Sequence, residues 1–485
     1  MWTPKFLKNE ESDVDELLFV KFHNLRCLMC SWKCFFTLCI LCTCLNLLLL
    51  NVYLRSFVYP KEVDCITYRK NHKEDFILKE DFPMNTNLIT NNTKWFAVAE
   101  ESYVYSVYHS KCPPKFGFNY CIQFIGITLN ATVSNHKLNG HVSTTYISSL
   151  KCGLRKQSVT FEEGLVFVEL MPEGHFLPYT AAFFYCDLKS MTDSELFPEY
   201  VTIYDKKPIK WFPIEKVTFK EDFKLPSLSL CVRPLYGHFS SLFLLQFLSY
   251  YVSEGVDQFI FYHHNVSQST LEFLSYIADT SIVSLTLLPW NVPLSNNEVH
   301  EYGQIVFTQD CLARSRYKYS HTLLVDLDEF IVPKEHRTLV QLVTYLDEYY
   351  PYGGSYVIPN VLFCEEFQTV PNFSLPALYH DQRQKTPWAY GYRSKYIARA
   401  HRVRYGGVHQ VWGFENGYQE VNVPSSVALL HHYKPCCGMQ QTWFLHLLSF
   451  NVLDDQIMTD NSLHQNGGLF NDTLNQLFLR LKDNI

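Results

Sequence analysis

The spacing of hydrophobic positions changes several times along the chain, and each change marks an expected element. Residues 35–54 carry no charge, a run long enough to span a bilayer at ~1.5 Å per residue, and predict one transmembrane helix. A long polar stretch precedes it, so it reads as a signal anchor behind a 1–34 cytoplasmic tail rather than as a removed leader. Residues 55–94 are polar with scattered charge and are expected to form a stem. From 95 to 225 short alternating runs such as Ser102–Tyr108 and Cys121–Ile127, with turn residues such as Asn139-Gly140 between them, predict a β-rich, sandwich-like module. The tyrosines of one run, Tyr103, Tyr105 and Tyr108, read as core or as a carbohydrate platform.

From 226 to 465 the rhythm becomes strand, helix, strand. Expected strands at Leu228–Arg233, Val256–Tyr262, Ile282–Leu288 and Thr322–Val325 alternate with expected helices at Ser240–Ser253, 268–278 and 298–316. Such alternation means βαβ units, hence an α/β domain with a mostly parallel sheet and right-handed crossovers. Residues 466–485 read as a C-terminal tail.

The fourth of these strands ends in Asp326-Leu327-Asp328. On an extended backbone the two acids face one way and Leu327 the other. Two carboxylates at a strand's carboxyl end suit Mn²⁺ (or Mg²⁺) carrying a diphosphate, because ligands of open α/β sheets bind there. The competing reading is a solvated turn. Arg233, Lys395 and Arg399 are candidates to neutralise that diphosphate, with Arg402 close by; an extended strand would put Lys395 and Arg399 on one face. His432, delivered by the run Ala428-Leu429-Leu430, is the candidate third metal ligand, and His409 stands behind it. Glu415, in a loop rich in aromatic and glycine residues, is the candidate general base, with Glu365 and Glu366 as rivals.

Composition narrows the setting. Acids exceed bases by 48 to 41 with no basic block, which argues against nucleic acid as the main partner. Lysines and arginines flank the anchor on both sides, so charge alone does not orient it. Glycosylation sequons at Asn91, Asn130, Asn265, Asn372 and Asn471 all follow the anchor, as do Cys65, Cys112, Cys121, Cys152, Cys186, Cys231, Cys311, Cys364, Cys436 and Cys437. Both fit a lumenal, disulfide-bonded glycoprotein body, a single-pass type II arrangement. No Cys-x-x-Cys occurs among these ten, and their pairing is not legible.

Residues from about 226 to 450 resemble glycosyltransferase family 92. The resemblance is carried by Tyr250 to Tyr262, Asp310-Cys311-Leu312-Ala313-Arg314, Asp326-Leu327-Asp328-Glu329-Phe330, Lys395-Tyr396-Ile397-Ala398-Arg399 running to His409, and His432-Tyr433-Lys434. It implies a GT-A-like domain in the Golgi membrane that transfers galactose from UDP-galactose to a glycan or glycoprotein acceptor with inversion. Where the family has an aromatic segment ending in Phe-Gly, this chain has Leu362 to Phe367, a departure that bears on acceptor recognition. The alternative is a lumenal carbohydrate-binding or cell-surface interaction protein that kept the fold and lost turnover.

Overall fold

The computed structural model describes residues 95–116, 120–130, 144–156, 159–187, 197–219, 222–365, 380–436, 457–465 and 467–483, all in one compact unit. The expected tail, membrane anchor and stem lie outside the described residues, as do Glu366, Asn91 and Asn372. Among the described residues no helix is long and apolar enough to cross a membrane.

Eight strands come first: β1 (Phe96–Ala99), β2 (Ser102–Lys111), β3 (Tyr120–Leu129), β4 (Thr144–Lys156), β5 (Val159–Leu170), β6 (Tyr179–Asp187), β7 (Tyr200–Tyr204) and β8 (Phe212–Pro213). They form one antiparallel sheet in the order β1-β2-β3-β6-β5-β4-β7-β8, where a two-sheet sandwich is expected. Register shifts in β1, β2 and β4 sharpen the twist. The sheet therefore curls around Val104, Phe124, Val168 and Phe184 until Phe96 at one edge lies 5.3 Å from Phe212 at the other. Alternation assigns residues to two faces but is silent on whether one sheet or two supplies them.

The second part opens with β9 (Leu228–Gly237), α1 (Ser241–Ser253), β10 (Val256–Val266), α2 (Gln268–Thr280), β11 (Leu285–Pro289), α3 (Gln304–Ser315) and β12 (His321–Val325). Ser240 and Ser267 cap α1 and α2, each side chain accepting a free amide of the first turn. The helix expected from residue 298 begins only at Gln304, because Glu301, Tyr302 and Gly303 adopt left-handed φ. There follow β13 (Glu329–Pro333), α4 (Leu339–Tyr349), β14 (Gly353–Ile358), β15 (Asn360–Cys364), β16 (Gln382–Gln384), β17 (Lys395–Ala398), β18 (Val403–Gly406), β19 (Val411–Phe414), β20 (Gln419–Asn422), β21 (Ala428–Lys434), β22 (Ile457–Thr459) and α5 (Gly467–Asp483). The expected C-terminal tail is thus a helix: its Phe470, Leu477 and Leu481 are buried in the core, Phe470 against Tyr250 of α1.

This part is mixed α/β. Its seven-stranded sheet runs β11-β10-β9-β12-β17-β14-β20. The pairings β11–β10, β10–β9, β9–β12 and β14–β20 are parallel, and β17 runs against both of its neighbours. A smaller sheet, β13-β21-β15, hangs from the carboxyl ends of β12 and β14.

The two large sheets share a core. Tyr105, Ile125, Ile127 and Phe183 of the curled sheet pack with Tyr262, Trp290, Val306 and Leu312. Within it the buried Asp310 carboxylate accepts from Tyr108 and Tyr262, each at 2.6 Å, and pairs with Arg314 at 3.1 Å. The tyrosine stripe is therefore core; it is occupied by the protein itself. Disulfides join Cys112 to Cys121, Cys152 to Cys186, Cys231 to Cys311 and Cys364 to Cys436, while Cys65 and Cys437 lie outside the described residues.

Candidate active site

From β9 the chain winds outward to β10 and β11, then returns to the other side of β9 for β12. At such a reversal two neighbouring strands send their following loops apart, and a crevice opens beyond their carboxyl ends. Val232 pairs with Val325 in the parallel register of β9 and β12, so the next residues, Arg233 and Asp326, meet at the crevice floor. Arg233 Nε lies 3.3 Å from Asp326 Oδ1.

Alternation predicts that the acids continue the strand on one face; they do not. Asp326 to Glu329 form a tight turn: the Asp326 carbonyl accepts the Glu329 amide at 3.1 Å, and the Glu329 carboxylate accepts the Asp326 amide at 2.9 Å. The turn buries Leu327 in the core and leaves the Asp328 side chain 34% exposed. It also sends the chain back as β13, antiparallel to β21, with Glu329 opposite His432. His432 Nε2 lies 3.2 Å from Asp328 Oδ2, and its Nδ1 lies 3.5 Å from Glu329 and 3.3 Å from the Asn360 amide nitrogen.

Lys395 opens β17 at the same end of the sheet. Its ammonium reaches Asp326 at 3.3 Å and Glu329 at 3.5 Å. Burial pushes the Asp326 carboxyl up, but Lys395 and then Arg233 outweigh it and hold the group at about 2. For Glu329 burial wins over the pull of Lys395, and its carboxyl is raised. Burial would lower the Lys395 ammonium, yet Asp326 and Glu329 keep it above its ordinary value. His409 also belongs here. Its ring N–H donates to the Ser394 carbonyl at 3.0 Å, and burial followed by the Lys395 charge holds it near 4.

Arg399 and Glu415 are not brought to this site. Arg399 has left β17 and pairs with Asp347 at 3.1 Å, at the opposite end of the sheet. There Asp347 also accepts from His321 at 3.1 Å and Tyr356 at 2.6 Å. Glu415 sits in the turn between β19 and β20, its amide bonded to the Arg402 carbonyl at 2.9 Å. On β14, Ile358 pairs with Lys395 while Gly353 pairs with Gln419, so the two regions stand five residues apart, roughly 16 Å at ~3.3 Å per residue. Four positions along a strand keep a face but cross most of a sheet. Glu365 donates its amide to the Lys434 carbonyl just past β15. Glu329 is the residue sequence reasoning passed over: it stands inside the acid motif, but only its fold back onto the Asp326 amide reveals its part.

The donor set, two carboxylates and an imidazole, suits a hard divalent ion. Among the described residues no three such groups are gathered closely enough to hold one: Asp328 and His432 touch, while Asp326 faces Arg233 and Lys395.

Residues 227–466 match the profile of glycosyltransferase family 92. A beta-1,4-galactosyltransferase, galt-1 of Caenorhabditis elegans, is 25% identical over 231 residues, which are 46% of this chain and 52% of that protein. The chain thus spans about half the length of the curated relative it matches. Among solved structures, a UDP-glucose pyrophosphorylase complexed with UDP-glucose is similar at 9% identity, over 43% of this chain and 90% of that one, with a TM-score of 0.20.

Proposed function

Because residues 227–466 are a glycosyltransferase family 92 domain, we propose that the crevice beyond β9 and β12 transfers galactose from UDP-galactose to a glycan or glycoprotein acceptor with inversion, on a GT-A-like fold. The observation that carries this reading is the meeting of Arg233, Lys395 and Asp326 where the strand order reverses. Two cations fixed at a crevice floor are placed to take up charge on a leaving diphosphate, and their carboxylate partners orient them beforehand. Galactose as the sugar is supported by the name of the worm relative.

Asp326, Asp328 and His432 are the residues that would hold Mn²⁺ or Mg²⁺, which requires Asp326 to turn from Arg233 and Lys395 toward the Asp328–His432 pair. When bound, such an ion neutralises charge on a diphosphate without any proton transfer. Glu329 positions this set: it closes the turn that presents both aspartates and faces Lys395 and His432 from one buried carboxylate. Glu415 is not retained as the base, since it stands at the other end of the sheet. The anchor at 35–54 would hold the enzyme in the Golgi membrane with its body in the lumen. The four disulfides and the exposed sequon residues Asn265 and Asn471 support that placement.

The test is a manganese titration of galactose release from labelled UDP-galactose, with parent and His432→Asn protein. A metal-binding His432 predicts a much higher Mn²⁺ concentration for half-activity at little cost in melting temperature. A curve that overlays the parent removes His432 from the site, and a parent that neither hydrolyses nor binds the donor leaves the carbohydrate-binding alternative.

A further inference from the structure

The loop between β5 and β6, Met171 to Pro178, is the part of the curled sheet that reaches the mouth of the crevice. Its backbone is unusual for residues with side chains: Glu173, His175 and Phe176 all take left-handed φ, between 49° and 64°. Such conformations are unfavourable and persist where surroundings hold them, often beside ligands. Here the holding contacts are specific. The Glu173 carboxylate accepts the Val408 amide at 3.1 Å and the Trp412 indole N–H at 2.9 Å. The His175 ring stacks on His300 at 3.6 Å, and the Tyr179 amide donates to the Glu298 carbonyl at 3.0 Å. On the curled sheet's own side, Asn130 binds the Leu177 and Pro178 carbonyls.

Both anchoring segments belong to the crevice. Val408 precedes His409, which feels the charges of Lys395 and Asp326. His300 precedes Glu301, which acts on Arg233. Glu301 and Tyr302 are left-handed as well, so strained backbone faces strained backbone across this junction. At the tip Phe176 is 88% exposed, in a loop whose other contacts are tightly made. A loop held this firmly presents that ring at a fixed place. A hexose has an apolar C–H face and hydroxyl edges; an aromatic ring matches the first, and neighbouring imidazole nitrogens match the second. Burial, then His300, holds the His175 imidazole near 4, which keeps it neutral and able to accept from a hydroxyl.

Resting on the transferase reading above, we propose that the β5–β6 loop forms the acceptor side of the site, with Phe176 as the platform on which the acceptor sugar stacks. The curled sheet is then part of the transferase site itself and governs which glycan enters.

Saturation-transfer NMR on the purified full-length chain tests this with UDP-galactose and with methyl β-galactoside, methyl β-N-acetylglucosaminide and methyl α-fucoside as probes. The parent should transfer saturation to the uridine protons and to the ring protons of at least one methyl glycoside. In Phe176→Ala the glycoside signal should fall at least fivefold while the uridine signal stays within twofold, and Phe176→Tyr should restore it. A glycoside signal unchanged in Phe176→Ala, or no glycoside bound by the parent, overturns the proposal. Glycoside binding lost in Phe176→Ala, with no uridine signal even in the parent, supports the platform and sinks the donor reading instead.

Discussion

At one end of the seven-stranded sheet Asp347 accepts from His321, Tyr356 and Arg399; at the other, Asp326 faces Arg233 and Lys395 while Asp328 meets His432. Both ends gather acids, cations and imidazoles over short distances, and residue type alone does not separate them. The balance does. Around Asp347 one carboxylate is surrounded by donors that all point at it, with His401 and Arg402 adding further positive or neutral groups. Around Asp326 three carboxylates, with Glu329 and Asp328, stand against two fixed cations and one imidazole, and the least covered of them opens on the crevice. The Asp347 cluster is satisfied internally, whereas the cluster at the strand-order reversal leaves the Asp328 carboxylate partly exposed.

The strongest way to break this contrast is to remove charge at each end. Asp326→Asn and Asp328→Asn should each lower transfer from UDP-galactose by about a thousandfold, the equivalent of several kcal/mol of lost charge stabilisation. Arg399→Ala should leave the rate of the folded protein within twofold. Steady-state kinetics decide it: near-normal rates in either aspartate variant, or a collapse in Arg399→Ala, would reverse the assignment of the two ends. Leu327→Ala, between the acids but buried in the core, should cost about 2–5 kcal/mol in urea unfolding while a smaller part of its effect falls on turnover.

The Asp347 end should lose stability in acid through His401, as the crevice end should through His409. Burial, then Arg399 and Arg402, depress the His401 imidazole to about 3. A depressed value means the unfolded chain takes the proton first, near its ordinary ~6.5. The stability this group contributes is complete above that pH and is lost as pH falls toward about 3. His401→Gln should flatten the fall when unfolding free energy is measured across that window; an unchanged slope would show that His401 does not drive it. The smallest effect belongs to Glu415→Gln. Transfer should stay within twofold of the parent, and a loss of a hundredfold or more would return Glu415 to the chemistry.

The parts legible in the sequence were those set by local periodicity. Strands and helices from Leu228 to Val325 follow from apolar spacing and serine caps, and with them comes the position of Asp326 at the fourth strand's end. His432 was legible because Ala428, Leu429 and Leu430 make a strand that delivers it. What periodicity does not encode is where a strand begins and ends relative to its neighbours. Lys395 and Arg399 share the alternation expected of one face, yet β17 is so short that one lies at the crevice and the other beside Asp347. Glu415 looked apt from its aromatic and glycine neighbours, but the pairing of β20 with β14 carries its turn away from the site. The long-range closure of β1 to β8 was equally hidden, since it depends on register shifts that leave the alternating pattern nearly intact.

The burial of Tyr108 against Asp310 has a consequence for biosynthesis. Synthesis runs from the amino terminus, so β1 to β6 are made well before α3, which carries Asp310 and Arg314. At ~5–20 residues per second the face bearing Tyr105, Ile125, Ile127 and Phe183 waits on the order of ten seconds for its cover. During that interval the nascent chain displays a broad aromatic surface with unmatched tyrosine hydroxyls, the kind of surface that chaperones bind and that neighbouring chains can capture. Synonymous changes that slow translation between the codons for Asp187 and Asp310 would lengthen the exposure, and the penalty would appear in the yield of folded protein rather than in the activity of the molecules that fold.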